Sequence, residues 1–303
     1  MTTTALTTTA LTTTAPHKHR RMDPVYLWII IPTLVLFSLA ITLPTIVGLF
    51  MSLTNSIGFG AWEFIGLTNY VALFQDPAVL QSYAFTFGFA LVTVLAVNVL
   101  AFLLALGLTA RVRALTALRA VFVLPMVISG IVIAYVFNFL FSNSLPALGT
   151  ALGIPVLSTS VLANPDLAWV AIVIVTTWSA IPGTLLIYIA GLLAVPREVY
   201  EAADIDGATP FTRLTHITLP LVAGYVAINL ILGVKNFLNA YEIIIGLTAG
   251  GPGTATRSIA MTIFTGFSSG DYAYQMANAA IFFVIVVLIT LAQLRFTQRG
   301  EKA

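Results

Sequence analysis

An all-α membrane protein with about six transmembrane helices is the fold this sequence predicts, and three observations predict it. Charge is scarce: 8% of the 303 residues are Asp, Glu, Lys or Arg, 59% are hydrophobic, and mean hydropathy is +1.01. A soluble domain carries about 25% charged residues, so lipid must cover most of this surface. Apolar runs recur at the length, about 20 residues, that a helix needs to cross hydrocarbon. Six qualify: 25–53, 83–109, 120–141, 167–194, 221–247 and 274–294. Basic residues are also one-sided. With the N-terminus inside, Lys18, Arg20, Arg21, Arg111, Arg113, Arg119, Arg197, Arg213, Arg295, Arg299 and Lys302, 11 of 13, fall on the cytoplasmic side. Arg257 alone falls in an outer loop, and Lys235 lies within a segment. That bias fixes orientation by the positive-inside rule.

The elements follow in order. Residues 1–22 form a Thr-rich tail with nothing to bury, read as disordered and cytoplasmic. The basic cluster at 17–21 precedes an apolar run too long for a signal core, so the run is read as a retained first helix. Pro32, Pro44, Pro125 and Pro182 fall inside segments, where neighbouring helices and hydroxyls can satisfy the freed backbone groups. The outer loops, near 55–81, 142–166 and 248–271, are rich in Gly, Pro, Asn and Ser. Residues 23–303 then make one transmembrane domain, with a cytoplasmic loop at about 195–220.

That loop is the unusual feature. Glu201-Ala202-Ala203-Asp204-Ile205-Asp206-Gly207-Ala208, followed by Ile217-Thr218-Leu219-Pro220, is a charged, small-residue stretch between two apolar runs. It resembles the cytoplasmic signature of the membrane subunits of binding-protein-dependent ABC importers: Glu-Ala-Ala, then Gly, Ile and Leu-Pro at fixed spacing. Further segments resemble the carbohydrate branch of that family, in its maltose-type permeases. They are Phe64-Ile65-Gly66-Leu67-Thr68-Asn69-Tyr70, the stretch from Arg119 to Pro125, 193–200 leading into the motif, and Leu247-Thr248-Ala249-Gly250-Gly251-Pro252. The branch usually carries Phe-Asp before the last of these, where this chain has Tyr241-Glu242.

The residues of the loop suit a docking helix. Pro196 fits a first turn, where its missing N–H costs nothing. Glu198 and Glu201 lie early, where the helix dipole favours acids. Ala202 and Ala203 let another protein approach the backbone, and Gly207 turns the chain where a side chain would strain. With Asp206 these residues, Glu201, Ala202, Ala203 and Gly207, are the expected ATPase-coupling set. The plainer alternative is a solvated loop between helices.

The fifth segment holds the other candidates. Lys235 lies near its midpoint, at a cost of about 2.5–3.5 kcal/mol on insertion scales. At i, i+4, i+7 spacing, Lys235, Asn239 and Glu242 would share one face of a continuous helix, with Asn236 adjacent. Intramembrane ionisable groups usually face a bundle interior or a water cavity. Either this is a polar wall of a solute path, or Lys235 pairs with a carbonyl or a partner's acid. Trp178, Tyr188 and Tyr241 are candidates for stacking on sugar rings, against a packing role.

Several chemistries are set aside. The three histidines, His17, His19 and His216, all fall in cytoplasmic segments, and no Cys/His/Asp ligand cluster is spelled out. No Gly-x-x-x-x-Gly-Lys-Ser/Thr loop exists for ATP, and a net charge of +2 does not argue for nucleic acid. The family resemblance implies a permease subunit forming half of a sugar path in a bacterial inner membrane. It implies a second homologous permease, an ATPase dimer that holds ATP and Mg, and an extracytoplasmic sugar-binding protein. The alternatives are an importer permease for glycerol phosphate or a polyamine, or an ion-coupled secondary transporter.

Overall fold

In a computed structural model, residues 24–109 and 122–300 are described. The Thr-rich tail, the basic cluster at 17–21, Arg111, Arg113, Arg119 and Lys302 lie outside the described residues. The chain divides into two units, 1–47 and 48–303. In the first, α1 (Pro24–Phe37) passes through a π-turn at Ser38–Thr42, where the last helical stretch begins. Thr33 donates its hydroxyl to the Ile29 carbonyl, as a hydroxyl in an apolar helix does when water is absent.

The second unit begins within α2 (Leu43–Met51), and α3 (Thr68–Gln75) and α4 (Pro77–Thr109) follow. Asp76 starts α4: its carboxylate accepts from the Ala78 N–H at 2.9 Å, and Pro77 supplies a first residue that needs no donor. The next span is α5 (Gly130–Phe139), a π-turn at Leu140–Ser144, and α6 (Leu145–Leu152). α7 (Pro165–Ala194) opens with the same logic, Asn164 accepting from the Asp166 N–H at 2.9 Å. Then come α8 (Arg197–Ile205), α9 (Pro210–Arg213), α10 (Leu219–Leu221), α11 (Ala223–Leu238), α12 (Glu242–Thr248), α13 (Ile259–Ser268) and α14 (Tyr272–Gly300). Among the described residues five helices are long and apolar enough to span a bilayer, and six if the bent pair Pro210–Leu221 and Ala223–Leu238 is one span.

α4 and α7 form the centre. Each buries 44% of its apolar window, against 17% for α14 and 11% for the 130–152 span. Small residues make this possible: Ala101 and Ala105 are fully buried, in a cluster with Leu185, Tyr188 and Val222. Lipid tails are as apolar as leucine, so close backbone approach and interhelical hydrogen bonds must hold such helices together. Tyr188 donates to Asn98 at 2.6 Å, and Asn98 donates back to the Val94 carbonyl at 2.8 Å. Near the other end of α4, Tyr83 bonds Asn278 at 3.0 Å, and Thr86 accepts from the Ile259 N–H at 2.9 Å.

The structure corrects three expectations. The third span runs over 130–152 rather than 120–141. Leu124–Val127 is a 3₁₀ turn containing Pro125, and Ile128 and Ser129 are extended, so the helix starts afresh at Gly130. The outer loop 248–271 contains the helix α13, capped by Ser258, whose hydroxyl accepts from the Met261 N–H at 3.3 Å. The fifth segment is broken: Asn239 leaves helical geometry and Tyr241 has φ −136°, so α11 and α12 are separate. Lys235, Asn239 and Glu242 therefore do not share a face of one helix.

Packing and polar bonding at the α4–α7 contact can be ranked by mutation. Tyr188→Phe deletes one interhelical bond, worth about 1 kcal/mol in a membrane protein. Ala101→Leu forces a larger side chain into a site with no space, at about 1–3 kcal/mol. Thermal denaturation of the detergent-solubilised protein should show the larger loss for Ala101→Leu. The reverse order would mean that the polar bond, not close packing, sets this contact.

Candidate functional site

Two of the departures from regular membrane-spanning helix hold candidate residues. The first lies between α7 and α11. Val195 and Pro196 are extended, with ψ 124° and 139°, and turn the chain out of α7. α8 then runs nine residues with Glu198 in its first turn. It closes at Gly207, φ +72°, with the Ala208 N–H reaching the Ala203 carbonyl at 2.9 Å. This left-handed closure requires glycine. Thr209 caps α9, accepting from the Thr212 N–H at 3.2 Å, with Pro210 at the first position. A π-turn, Leu214–Thr218, leads into α10, and the chain bends by 68° into α11.

The expected coupling residues are thereby brought onto one compact turn. Glu201, Ala202, Asp206 and Gly207 are exposed, while Ala203 is buried and backs the helix. Sequence reasoning missed the most exposed apolar side chains of the turn, Ile205 at 87% and Phe211 at 75%. Their signal was present: large apolar residues in a charged segment outside any span. It also missed the contacts across the turn. Arg213 pairs with Asp204 at 2.5 Å, its guanidinium lies 5.9 Å from the Tyr200 ring centroid, and Tyr200 and Thr218 share a hydrogen bond of 3.2 Å. A cleft of about 740 Å³ separates this turn from the ends of α4 and α7, with Leu106, Leu192, Tyr200, Asp204 and Arg213 on its walls.

The second place is the break between α11 and α12. Lys235, Asn236 and Asn239 are exposed in the last turn of α11 and just beyond it. Asn239 donates to the Lys235 carbonyl at 2.8 Å. Glu242 is exposed in the first turn of α12, and a Cβ on Gly130, the first residue of α5, would lie 2.9 Å from its Oε2. The two charges thus sit at helix ends of matching polarity. A cation lies in the last turn of α11, at its negative end, and an anion sits at the N-termini of α12 and α5. The break explains how Lys235 and Glu242 are tolerated in an apolar segment, and it exposes polar groups as discontinuous helices do where they line a solute path.

The aromatic candidates separate. Trp178 is 42% exposed beside Phe137, with ring centroids 5.5 Å apart. Tyr241 is half-buried against Phe264 at 5.1 Å. Tyr188 is 2% exposed, with its hydroxyl committed to Asn98, so within this chain it is a packing residue with no open ring face.

Comparison with known proteins places the chain in a family. A family model described as "binding-protein-dependent transport system inner membrane component" matches residues 105–300. The chain is 32% identical over 260 residues to the multiple sugar-binding transport system permease protein MsmF of Streptococcus mutans, covering 85% of this chain and 90% of that one. It is 34% identical over 280 residues to the trehalose/maltose transport system permease protein MalF of Thermococcus litoralis, covering 92% and 95%. A chain from the crystal structure of a bacterial ABC transporter that imports the acidic polysaccharide alginate superposes with TM-score 0.81 over 91% of this chain and 96% of that one. At 22% identity that likeness establishes the fold alone. The matched family and the apolar spans together make this chain a multi-pass member of the binding-protein-dependent transport system inner membrane components.

Proposed function

We propose that this chain is one of two permease subunits of an ATP-driven carbohydrate importer, forming half of the path and coupling it to a cytoplasmic ATPase. The observation that carries the reading is the α8–Gly207–α9 turn. It is a short helix projecting beyond the spans, with small residues and two exposed apolar side chains, in a family whose members work with a binding protein. The sugar class is supported by the names of the relatives and by the amide and aromatic groups near the α11–α12 break. Both termini and the 195–220 segment belong on the cytoplasmic side, as the distribution of Lys and Arg requires. A second homologous permease, an ATPase dimer holding ATP and Mg, and an extracytoplasmic sugar-binding protein complete the assembly.

The mechanism is alternating access. ATP closes the ATPase dimer, and the docked α8 helices move with it. The spans then open outward to the binding protein, and hydrolysis resets them. Sugar influences the cycle only as far as the two states bind it differently. Lys235, Asn236 and Asn239 offer donors to hydroxyls, and Glu242 offers an acceptor. Trp178 and Tyr241 offer ring faces.

The first test is uptake of a labelled mono- and oligosaccharide panel into proteoliposomes holding this chain with its co-purifying permease, ATPase and binding protein. One sugar taken up only with ATP and binding protein is the expected result. Uptake driven by an ion gradient alone would overturn the reading. Gly207→Pro, which cannot adopt φ +72°, should leave insertion intact and remove sugar-stimulated ATP hydrolysis.

Ile205→Asp or Phe211→Asp should weaken ATPase association about tenfold or more, the loss expected for an interface anchor. Pull-down of the ATPase at wild-type efficiency by both variants would place the docking contact elsewhere. Lys235→Met should raise the transport KM without changing sugar affinity of the isolated binding protein. An unchanged KM would assign Lys235 to subunit contact instead.

A further inference from the structure

α8 is joined to the spans through two non-helical points. The extended Val195–Pro196 pair precedes it, and the left-handed Gly207 follows it. On the side of α4 and α7 it stands over a cleft of about 740 Å³ rather than against packed side chains. Ala203 is the one buried residue of α8 among the described residues, so packing holds the helix at a single point, and a push on α8 would be absorbed at the Gly207 turn unless something bridges it.

Side chains do bridge it. Tyr200 and Asp204 are one helical turn apart and share a face of α8. Both reach across the turn, Asp204 to Arg213 at the end of α9 and Tyr200 to Thr218, with the Arg213 guanidinium against the Tyr200 ring. Thr218 is buried and is the last residue of the π-turn that becomes α10, the single turn that precedes the 68° bend into α11. Asp204–Arg213 is the one ion pair among the described residues. The neighbouring face of α8, with Glu201, Ala202 and Ile205, remains open.

We propose that Tyr200, Asp204, Arg213 and Thr218 are positioning residues, a brace that carries displacement of α8 across the Gly207 turn into α11 and so to the Lys235–Glu242 break. The proposal rests on the importer reading given above. Side-chain exposures of 32% and 63% make the ion pair a minor contributor to stability, so its removal leaves folding intact and acts on transmission.

The test uses the complete assembly in proteoliposomes and reads sugar moved per ATP hydrolysed, together with ATPase co-purification. Asp204→Asn and Arg213→Gln should each lower that ratio about threefold, the scale of one partly exposed ion pair, with ATPase still bound. The reversed pair Asp204→Arg with Arg213→Asp should restore most of it, which a purely local structural role would not do. Tyr200→Phe, which keeps the ring and loses the Thr218 bond, should also lower the ratio. An unchanged ratio in the single variants, or a reversed pair no better than either single change, overturns the brace while leaving the importer reading intact. Failure of the wild-type assembly to take up any sugar with ATP overturns that reading, and the brace with it.

Discussion

Backbone hydrogen bonding in hydrocarbon is the constraint on which the rest of this structure depends. With no water to solvate a free N–H or C=O, a spanning segment must stay helical unless protein or a wet cavity satisfies the gap. The long apolar helices follow from that, and so does the meaning of the interruptions. Where the backbone leaves helical geometry at 239–241, the freed groups are met by local side chains, Asn239 on the Lys235 carbonyl and Ser258 on the Ala240 carbonyl at 2.9 Å. The same break supplies two helix ends, and each holds the charge its polarity favours. Lys235 and Glu242 are thus two consequences of one backbone event.

Much of this was legible in the sequence because the signals were strong in kind. Scarcity of charge, six apolar runs and one-sided Arg and Lys report on the solvent, and solvent fixes fold class. Pro196, Glu198 and Gly207 report on local backbone chemistry, and α8 begins and ends where they require. The α11–α12 break was not legible, since Asn239-Ala240-Tyr241 contains neither Gly nor Pro and hydropathy averages across it. Periodicity then read Lys235, Asn239 and Glu242 as a stripe, because period alone assumes a continuous helix. α13 was hidden because ten residues are too few to register as a span. α6 was hidden because Pro146, Gly149 and Gly153 read as loop, although Pro146 lies in a first turn and Gly153, φ +68°, only ends the helix.

The side chains at the candidate sites divide along a physical line. Tyr188 and Asn98 satisfy each other between packed helices, so their polarity is consumed by the fold. Asn138 is similar, donating to the Leu247 carbonyl at 2.6 Å and tying α5 to α12. Asn236 and Glu242 are exposed, and no hydrogen bond within the chain uses their side chains among the described residues. Residue type could not separate these groups, since an asparagine that glues helices and one that meets a solute look alike in sequence. Burial and partner separate them.

Mechanical consequences follow from the uneven packing. α4 and α7 meet through buried alanines and the Tyr188–Asn98 hydrogen bond, a contact that can change only at the cost of opening voids or orphaning Asn98. α11 is bounded differently: a 68° bend at one end, a helix break at the other, and side-chain bonds rather than continuous backbone helix linking it to α8. Displacement entering at α8 therefore has two routes. Moving α4 against α7 would disrupt a close-packed interface, and moving α11 would shear Phe237 from Phe89 on α4 and the Asn229 bond to the Thr184 carbonyl of α7, although both ends of α11 already lie outside helical geometry. The α11 route ends at Lys235, Asn236 and Asn239. An exposed turn before one end of α11 and exposed polar groups at its other end are what the proposed coupling requires, and the α4–α7 contact is the most closely packed part of the frame that holds them.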